Sequence, residues 1–163
     1  MATKDELIRG LELLITEANR IADSLTEEQW ARTVDLDGWK NVEVLAHLAG
    51  VGGMVVPIVG ALGSQAPGGD LVGNLDIDQI NAGMVQARAG KGARELAEEI
   101  TKNYNGIIDF IRQAPDDLLQ KRANAGGYRD LPVGDILVRM VVLHGLGHIY
   151  SVYSSLFFAE RPA

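Results

Sequence analysis

The sequence predicts an all-α protein, a four-helix bundle with long connections between its helices. Two amphipathic regions, residues 3–24 and residues 76–113, carry apolar residues at helical spacing. Two further regions, residues 44–69 and 140–159, contain no Asp, Glu, Lys or Arg, which is typical of central helices. We find no convincing strand pattern and no internal repeat, so helices account for the fold.

Length and composition favour a single domain over residues 1–163. A chain of 163 residues is long enough to bury a core without covalent staples. It has no cysteine, which excludes disulfides, a thiolate metal site and a cysteine nucleophile. Any thiol chemistry therefore needs a thiol that arrives as a small molecule.

The charge distribution guides our expectations about partners and location. The net charge is -7, and the 15 Lys and Arg residues are scattered along the chain. Because contacts with phosphates need clustered basic side chains, we expect no nucleic-acid partner. The N-terminus, Met-Ala-Thr-Lys-Asp-Glu-Leu, has no charged-then-apolar signal pattern, so we expect a cytoplasmic protein.

Both uncharged regions are long enough to span a bilayer. The first, however, contains His47, Pro57 and repeated glycines, and the second contains two histidines and several serines. The amphipathic regions between them supply faces that can cover central helices. We therefore expect no membrane span.

The first helix is predicted over residues 3–24. Residues 26–29, Thr-Glu-Glu-Gln, form a capping-box pattern that begins a short helix carrying Trp30. We expect Trp39 to close one end of the core beside the following helix.

The second long helix is predicted to begin near Lys40, with Asn41 as its cap, and Pro57 is predicted to kink or end it. Each glycine in this helix costs about 1 kcal/mol relative to alanine, so close helix contact or metal ligation has to compensate. The glycines are Gly50, Gly52, Gly53 and Gly60.

The remaining elements follow from turn signals. Residues 63–70 form a loop that can serve as a flap or partner surface, and residues 89–92 divide the third helical region into two helices. The sequence of residues 124–128 predicts a turn or short hairpin. Pro132 then begins the last helix, with Asp135 at its positive end.

The three histidines of the chain form the candidate site. His144 and His148 are four residues apart, so on a helix both side chains lie on one face within reach of one metal ion. His47 lies in the other apolar region, and three imidazoles with an open fourth position make a catalytic zinc-type site. The alternative is that all three are core residues whose ring nitrogens bond to neighbouring groups.

The stretch from Trp39 to Gly50, with His47 eight residues after Trp39, resembles the second-helix signature of the DinB-like metalloenzyme superfamily. His144 and His148 match the remaining ligands of that superfamily. Residues 75–84 and the helix that follows are similar to the N-terminal domain of mycothiol-dependent maleylpyruvate isomerases.

The resemblance implies a divalent metal, zinc or nickel, held by His47, His144 and His148. It also implies a low-molecular-weight thiol such as mycothiol or bacillithiol, and an S-transferase or isomerase acting on small electrophiles. The maleylpyruvate isomerases have a glutamate where His144 stands and continue into a further domain. We therefore expect a related activity rather than maleylpyruvate isomerisation itself.

Three further residues are candidates for the site. Glu43, one turn before His47, is either a hydrogen-bond partner that supports a metal-ligating histidine or a general base, or simply a carboxylate in the first turn of a helix. Arg139 either binds an acid group of a substrate or thiol, or lies on the exposed face of the last helix. Asn81 has either a pocket role or a packing role.

Two functional classes remain open. The first is a metal-dependent enzyme with a small-molecule substrate. The second is a non-catalytic bundle that binds a small molecule, as in self-protection, with a structural metal or none. A structural zinc site is usually closed by four protein ligands, whereas the chain has only three histidines. The apolar regions also leave room for a homodimer.

Overall fold

The computed structural model describes residues 2–33, 38–65, 69–73 and 75–158. Most of the described chain is helical, and a short 3-10 turn (Leu118–Gln120) precedes a two-stranded antiparallel hairpin. The elements are α1 (Lys4–Ser24), α2 (Glu27–Trp30), α3 (Asn41–Gly63), α4 (Ile77–Gln86), α5 (Ala93–Gln113), β1 (Arg122–Ala125), β2 (Tyr128–Pro132), α6 (Val133–Leu137), a π-helical segment (Val138–Leu143) and α7 (His144–Phe158).

Four long helices form the bundle: α1, α3, α5 and a fourth helix that we call the last helix. The last helix is continuous and consists of α6, the π segment and α7. α1 and α3 each pack against α5 and against the last helix, while α4 lies on the outside of α3. The prediction of an all-α four-helix bundle is therefore confirmed.

α1 and α2 are each capped at the N-terminus by a threonine side chain. Thr26 accepts a hydrogen bond from the backbone N–H of Gln29 at 3.3 Å, and the Gln29 side chain accepts one from the Thr26 N–H at 2.9 Å. This reciprocal pair is the capping box that the sequence predicts. Thr3 and Glu6 make a second capping box at the start of α1, which sequence reasoning missed.

α3 continues through Pro57, so of the two predicted outcomes, a kink or an end of the helix, the end is wrong. Lys40 rather than Asn41 stands at the cap position, and the Asn41 side chain is buried instead. The Asn41 amide donates to the carbonyl of Gln29 at 2.8 Å and accepts from the Ser155 hydroxyl at 3.1 Å. Asn41 therefore ties the start of α3 to α2 and α7.

Two of the glycines of α3, Gly50 and Gly52, allow the close helix contact that was predicted. A Cβ at Gly50 would lie 2.7 Å from the Met84 side chain of α4, and one at Gly52 would overlap the ring of Tyr104 on α5. The Tyr104 hydroxyl lies 3.4 Å from the Leu48 carbonyl, within hydrogen-bonding reach. Close approach of α4 and α5 is thus the compensation for the low helix propensity of these two positions.

The connections also follow the prediction in part. α4 and α5 are separate helices, and residues 124–128 do form the turn of a hairpin, with positive φ at Gly126 and Gly127. The predicted loop over residues 63–70 includes residues 66–68, which lie outside the described residues. Beyond them, the Leu71 N–H donates to the Asn124 carbonyl at 3.3 Å, so this part of the chain rests on the hairpin.

Two helical stretches, Asn41–Gly63 and Val133–Phe157, are long and apolar enough to cross a membrane by length and composition alone. Core helices of soluble proteins pass the same test. Val44, Leu48 and Val59 on the first stretch, and Val152 on the second, are fully buried in the bundle. The packing therefore fits a soluble bundle with two central helices.

Candidate metal centre and its cavity

The structure brings the three histidines together at one place in the bundle. His47 comes from the second turn of α3, His144 begins α7, and His148 lies one turn further along α7. Their ring centroids are 5.3 Å apart for His47 and His144, 4.8 Å for His47 and His148, and 4.5 Å for His144 and His148. His47 is buried, His148 is partly buried and His144 is exposed. The cluster therefore has a buried side and an accessible side.

The ring nitrogens have the spacing that a metal ion needs. One nitrogen from each imidazole lies within 4.8 Å of the others, and the two Nε2 atoms of His144 and His148 are 3.0 Å apart. In a tetrahedral zinc site, metal–nitrogen bonds of about 2.0–2.1 Å place ligand nitrogens roughly 3.3 Å apart. Small side-chain rotations therefore suffice to bring all three nitrogens onto one ion.

His47 gives the strongest indication that the cluster holds something. Both of its ring nitrogens are buried and have no hydrogen-bond partner among the described residues. A buried polar group without a partner is costly and rare in native proteins. Burial is the largest cause that lowers the pKa of His47, followed by the nearby His148 and His144 imidazoles, and together they bring it from 6.5 to about 3. His47 is thus a neutral imidazole at neutral pH, the form that binds a metal.

Trp39 covers one side of the cluster. Its ring centroid lies 5.0 Å from that of His47, and it stacks on His148 at 6.2 Å with an interplanar angle of 21°. The predicted position of Trp39 at the end of the core is therefore found, and the indole also restrains two of the three imidazoles.

A π-helical segment, Val138–Leu143, leads directly into His144. π turns inside α-helices are uncommon and occur often at functional sites. The segment changes the angular register of the residues before His144 relative to the histidine pair. No sequence signal identified this feature.

A cavity of about 490 Å³ lies beside the cluster, with His47 and His144 in its wall. α3, α4, the hairpin and the last helix enclose it, and most of its lining is aliphatic. This size falls within the range of small-molecule binding sites. The accessible side of the histidine cluster thus meets an apolar chamber.

Asn81 and Arg139, the two residues suggested for substrate binding, both line this cavity. The Arg139 guanidinium carbon lies 5.7 Å from the centre of the Tyr128 ring, which is also in the wall. Tyr128, the first residue of β2, was missed as a site residue because the sequence around it indicates a turn, where periodicity gives no information.

Glu43 is placed elsewhere. Its carboxylate accepts a hydrogen bond from the backbone N–H of Lys40 at 2.7 Å, which caps the start of α3. Glu43 lines a separate small cavity near the α4–α5 connection and is not among the residues around His47. The geometry fits the interpretation of Glu43 as a carboxylate in the first turn of a helix, where it caps α3.

A four-helix bundle with three histidines gathered from its second and last long helices defines a DinB-like helical protein. The sequence matches the family described as "Mycothiol maleylpyruvate isomerase N-terminal domain" over residues 11–146. The chain belongs to this family. No curated protein sequence matches it.

Two solved structures share the fold. The colibactin self-resistance protein ClbS, crystallised in complex with a dsDNA, matches with a TM-score of 0.73 and 12% identity, over 100% of this chain and 99% of that one. A protein from Streptococcus pneumoniae matches with a TM-score of 0.72 and 14% identity, over 94% of this chain and 90% of that one.

The ClbS complex corrects the expectation that net charge excludes a nucleic-acid partner. A protein with the same fold is found with double-stranded DNA, so this class of partner is compatible with the bundle. Net charge is an average over the whole surface, whereas binding depends on the local potential of one face. The inference from a net charge of -7 was therefore wrong.

Proposed function

We propose that this protein is a metal-dependent S-transferase or isomerase that joins a low-molecular-weight thiol of the mycothiol or bacillithiol type to a small electrophile. The observation that carries the proposal is the cluster of His47, His144 and His148 in the wall of an apolar cavity. Zinc and nickel are the candidate metals, because imidazole nitrogens suit both.

The chain supplies three imidazoles, of which the buried His47 is neutral at neutral pH, and leaves room for a further ligand. His47 anchors the site from the buried side, and Trp39 restrains the rings of His47 and His148. A bound divalent ion supplies Lewis acidity here, which lowers the pKa of an incoming thiol. Because the chain has no cysteine, the thiol has to come from a separate molecule.

The cavity wall holds the other reactant. Its aliphatic lining excludes water and favours an electrophile with an apolar body next to the exposed His144. In a transfer, the thiol loses its proton to solvent water, sulfur bonds to the electrophilic carbon, and the displaced group leaves with its electron pair. Such thiols are kept reduced in the cytoplasm, which is where the proposal locates the protein.

Activity assays with matched variants test the proposal. We expect protein loaded with zinc or nickel to consume thiol in the presence of a small electrophile, and His148→Ala to lose at least about 100-fold in rate. Tyr150→Ala is the control, because Tyr150 lies half a turn along α7 from His148 and is 71% exposed. Equal rates in His148→Ala and the parent protein would rule out a role for the cluster in the reaction.

The second candidate is a non-catalytic bundle that binds a toxic small molecule in self-protection. The large apolar cavity favours it, together with the shared fold of the self-resistance protein ClbS. This function predicts that metal-free protein binds an apolar ligand as tightly as the metal-loaded protein, with no turnover of thiol. The variant His148→Ala would then keep full ligand binding.

Binding of double-stranded DNA should be tested as well, because ClbS, which shares the fold, was crystallised with a dsDNA. Titration of a fluorescently labelled duplex at two salt concentrations measures both affinity and its electrostatic part. Binding that weakens steeply with salt indicates phosphate contacts, since counterion release sets the slope.

A further inference from the structure

The cavity beside the histidine cluster has an uneven distribution of charge. Its wall is built mostly from aliphatic and methionine side chains, and no carboxylate is among the described residues that line it. Arg139 is the one permanently charged side chain in the described wall, and it is an exposed residue. The chamber is therefore apolar inside with one cation in its wall.

Arg139 is not paired with a carboxylate in the part of the chain that the structure describes. Among the described residues it forms no ion pair, and the contact found for it is with the face of the Tyr128 ring. The other arginines near the hairpin differ in this respect: Arg122 pairs with Asp130, and Arg129 pairs with Asp70. The Arg139 guanidinium thus keeps its bidentate donors available for a ligand.

The π segment explains why Arg139 and His144 share one cavity. In an α-helix, residues five apart point about 140° away from each other, since each turn has 3.6 residues. With i to i+5 hydrogen bonding, each turn is wider and the same pair is only about 50° apart. The π segment spans Val138–Leu143 and so turns Arg139 toward the face that carries His144.

Asn81 adds a second polar group to the same wall. Its side-chain amide makes no hydrogen bond to any described residue, and it projects from α4 into the cavity lining. An amide offers both a donor and an acceptor, so it can orient a polar group of a ligand after Arg139 has bound the charged one.

We infer that the cavity binds an amphipathic carboxylate, a molecule with an apolar body of medium size and a single acidic group that pairs with Arg139. The inference rests on the proposed function, and it adds that the small electrophile of that reaction carries such an apolar body and a single acidic group. Burial of the apolar body supplies affinity, and the guanidinium supplies selectivity for the acid. A highly polar dicarboxylate or sugar does not suit this wall, because its polar groups would lose water without gaining partners.

Three probes with the same ten-carbon chain test the inference: decanoate, decanol and decylamine, each titrated calorimetrically below its micellar concentration. We expect decanoate to bind most tightly and decylamine most weakly. Arg139→Gln should weaken decanoate by about tenfold and leave decanol unchanged, as expected for loss of one charge-assisted contact. Arg129→Gln is the control, because Arg129 is already paired with Asp70.

Equal affinity for the three probes would overturn the inference, as would an equal loss for all of them in Arg139→Gln. The titrations are repeated with His148→Ala. This variant disrupts the histidine cluster of the proposed function and leaves Arg139 in place, so it separates the carboxylate site from the enzyme activity. If decanoate binding depends on Arg139 but the protein transfers no thiol, the carboxylate site stands and the proposed enzyme is rejected. If the protein transfers thiol but the three probes bind equally, the enzyme stands and the carboxylate site is rejected.

Discussion

His47 is the residue on which the site depends most. It is 2% exposed, its two ring nitrogens have no hydrogen-bond partner among the described residues, and two more imidazoles face it. A histidine in the core that served packing alone would be expected to bond at least one nitrogen. The chemistry of this side chain therefore favours ligation over a purely structural role.

Burial of His47 predicts a pH dependence of stability for the metal-free protein. The pKa of His47 falls from 6.5 to about 3 on folding, so the unfolded chain binds the extra proton first. Stability is therefore complete above pH 6.5 and decreases as the pH falls from 6.5 toward 3. Urea unfolding between pH 7 and pH 4 measures this loss, and we expect a flatter profile for His47→Gln.

Parallel pH profiles for the two metal-free proteins would contradict this assignment. Carboxylates titrate in both proteins, so their contribution cancels when the slope of unfolding free energy against pH is compared between the parent protein and His47→Gln.

Asn41, unlike His47, has a structural role. It is 0% exposed and joins α2 and α7 through its hydrogen bonds to Gln29 and Ser155. Asn41→Ala leaves these groups without a partner, and we expect a loss of about 1–3 kcal/mol in unfolding free energy. Asn105→Ala, at an exposed position of α5, is the control and should change stability by less than about 0.5 kcal/mol.

At the scale of elements, α3 depends on the absence of side chains at particular glycines. We expect Gly52→Ala to cost about 1–3 kcal/mol, because its Cβ would meet the buried Tyr104 ring. Gly60→Ala should instead stabilise the protein by about 0.5–1 kcal/mol, since nothing lies within 4 Å of a Cβ there. Chemical denaturation of both variants tests the pair, and a similar effect at both glycines would contradict the packing argument.

The last helix shows what sequence periodicity can and cannot give. The spacing of His144 and His148 predicted that they lie on one face, because adjacent turns of any α-helix place i and i+4 together. The π segment before His144 has no such signal, since an extra residue per turn depends on packing against neighbouring helices. α3 likewise does not end at Pro57, although the lost backbone donor of a proline locally favours a helix end.

At the scale of the whole molecule, the bundle and the meeting of the three histidines were predictable from the sequence. The apolar patterns identified the helices, and the family resemblance indicated which two helices carry ligands. The cavity was not predictable, because its wall combines α3, α4, the hairpin and the last helix, which are distant in the chain. Asn81 and Arg139 were proposed one by one, whereas their common chamber emerged only from the fold.

A bound metal should stabilise the whole bundle, because the site draws ligands from α3 and α7. A ligand that binds only the folded state at 100 times its Kd adds about 2.7 kcal/mol to the unfolding free energy. We therefore expect zinc or nickel to raise Tm, and a chelator to reverse the rise. An unchanged Tm after addition of either ion would be inconsistent with a site that links two helices.

The most direct test of the central claim is the metal content of protein purified without an affinity tag, measured together with His148→Ala and Tyr150→Ala. We predict about one divalent ion per chain in the parent protein and in Tyr150→Ala, and its loss in a folded His148→Ala variant. Absence of metal from the parent protein, even after reconstitution with zinc or nickel, would contradict the claim and make the three histidines core residues of a binding bundle.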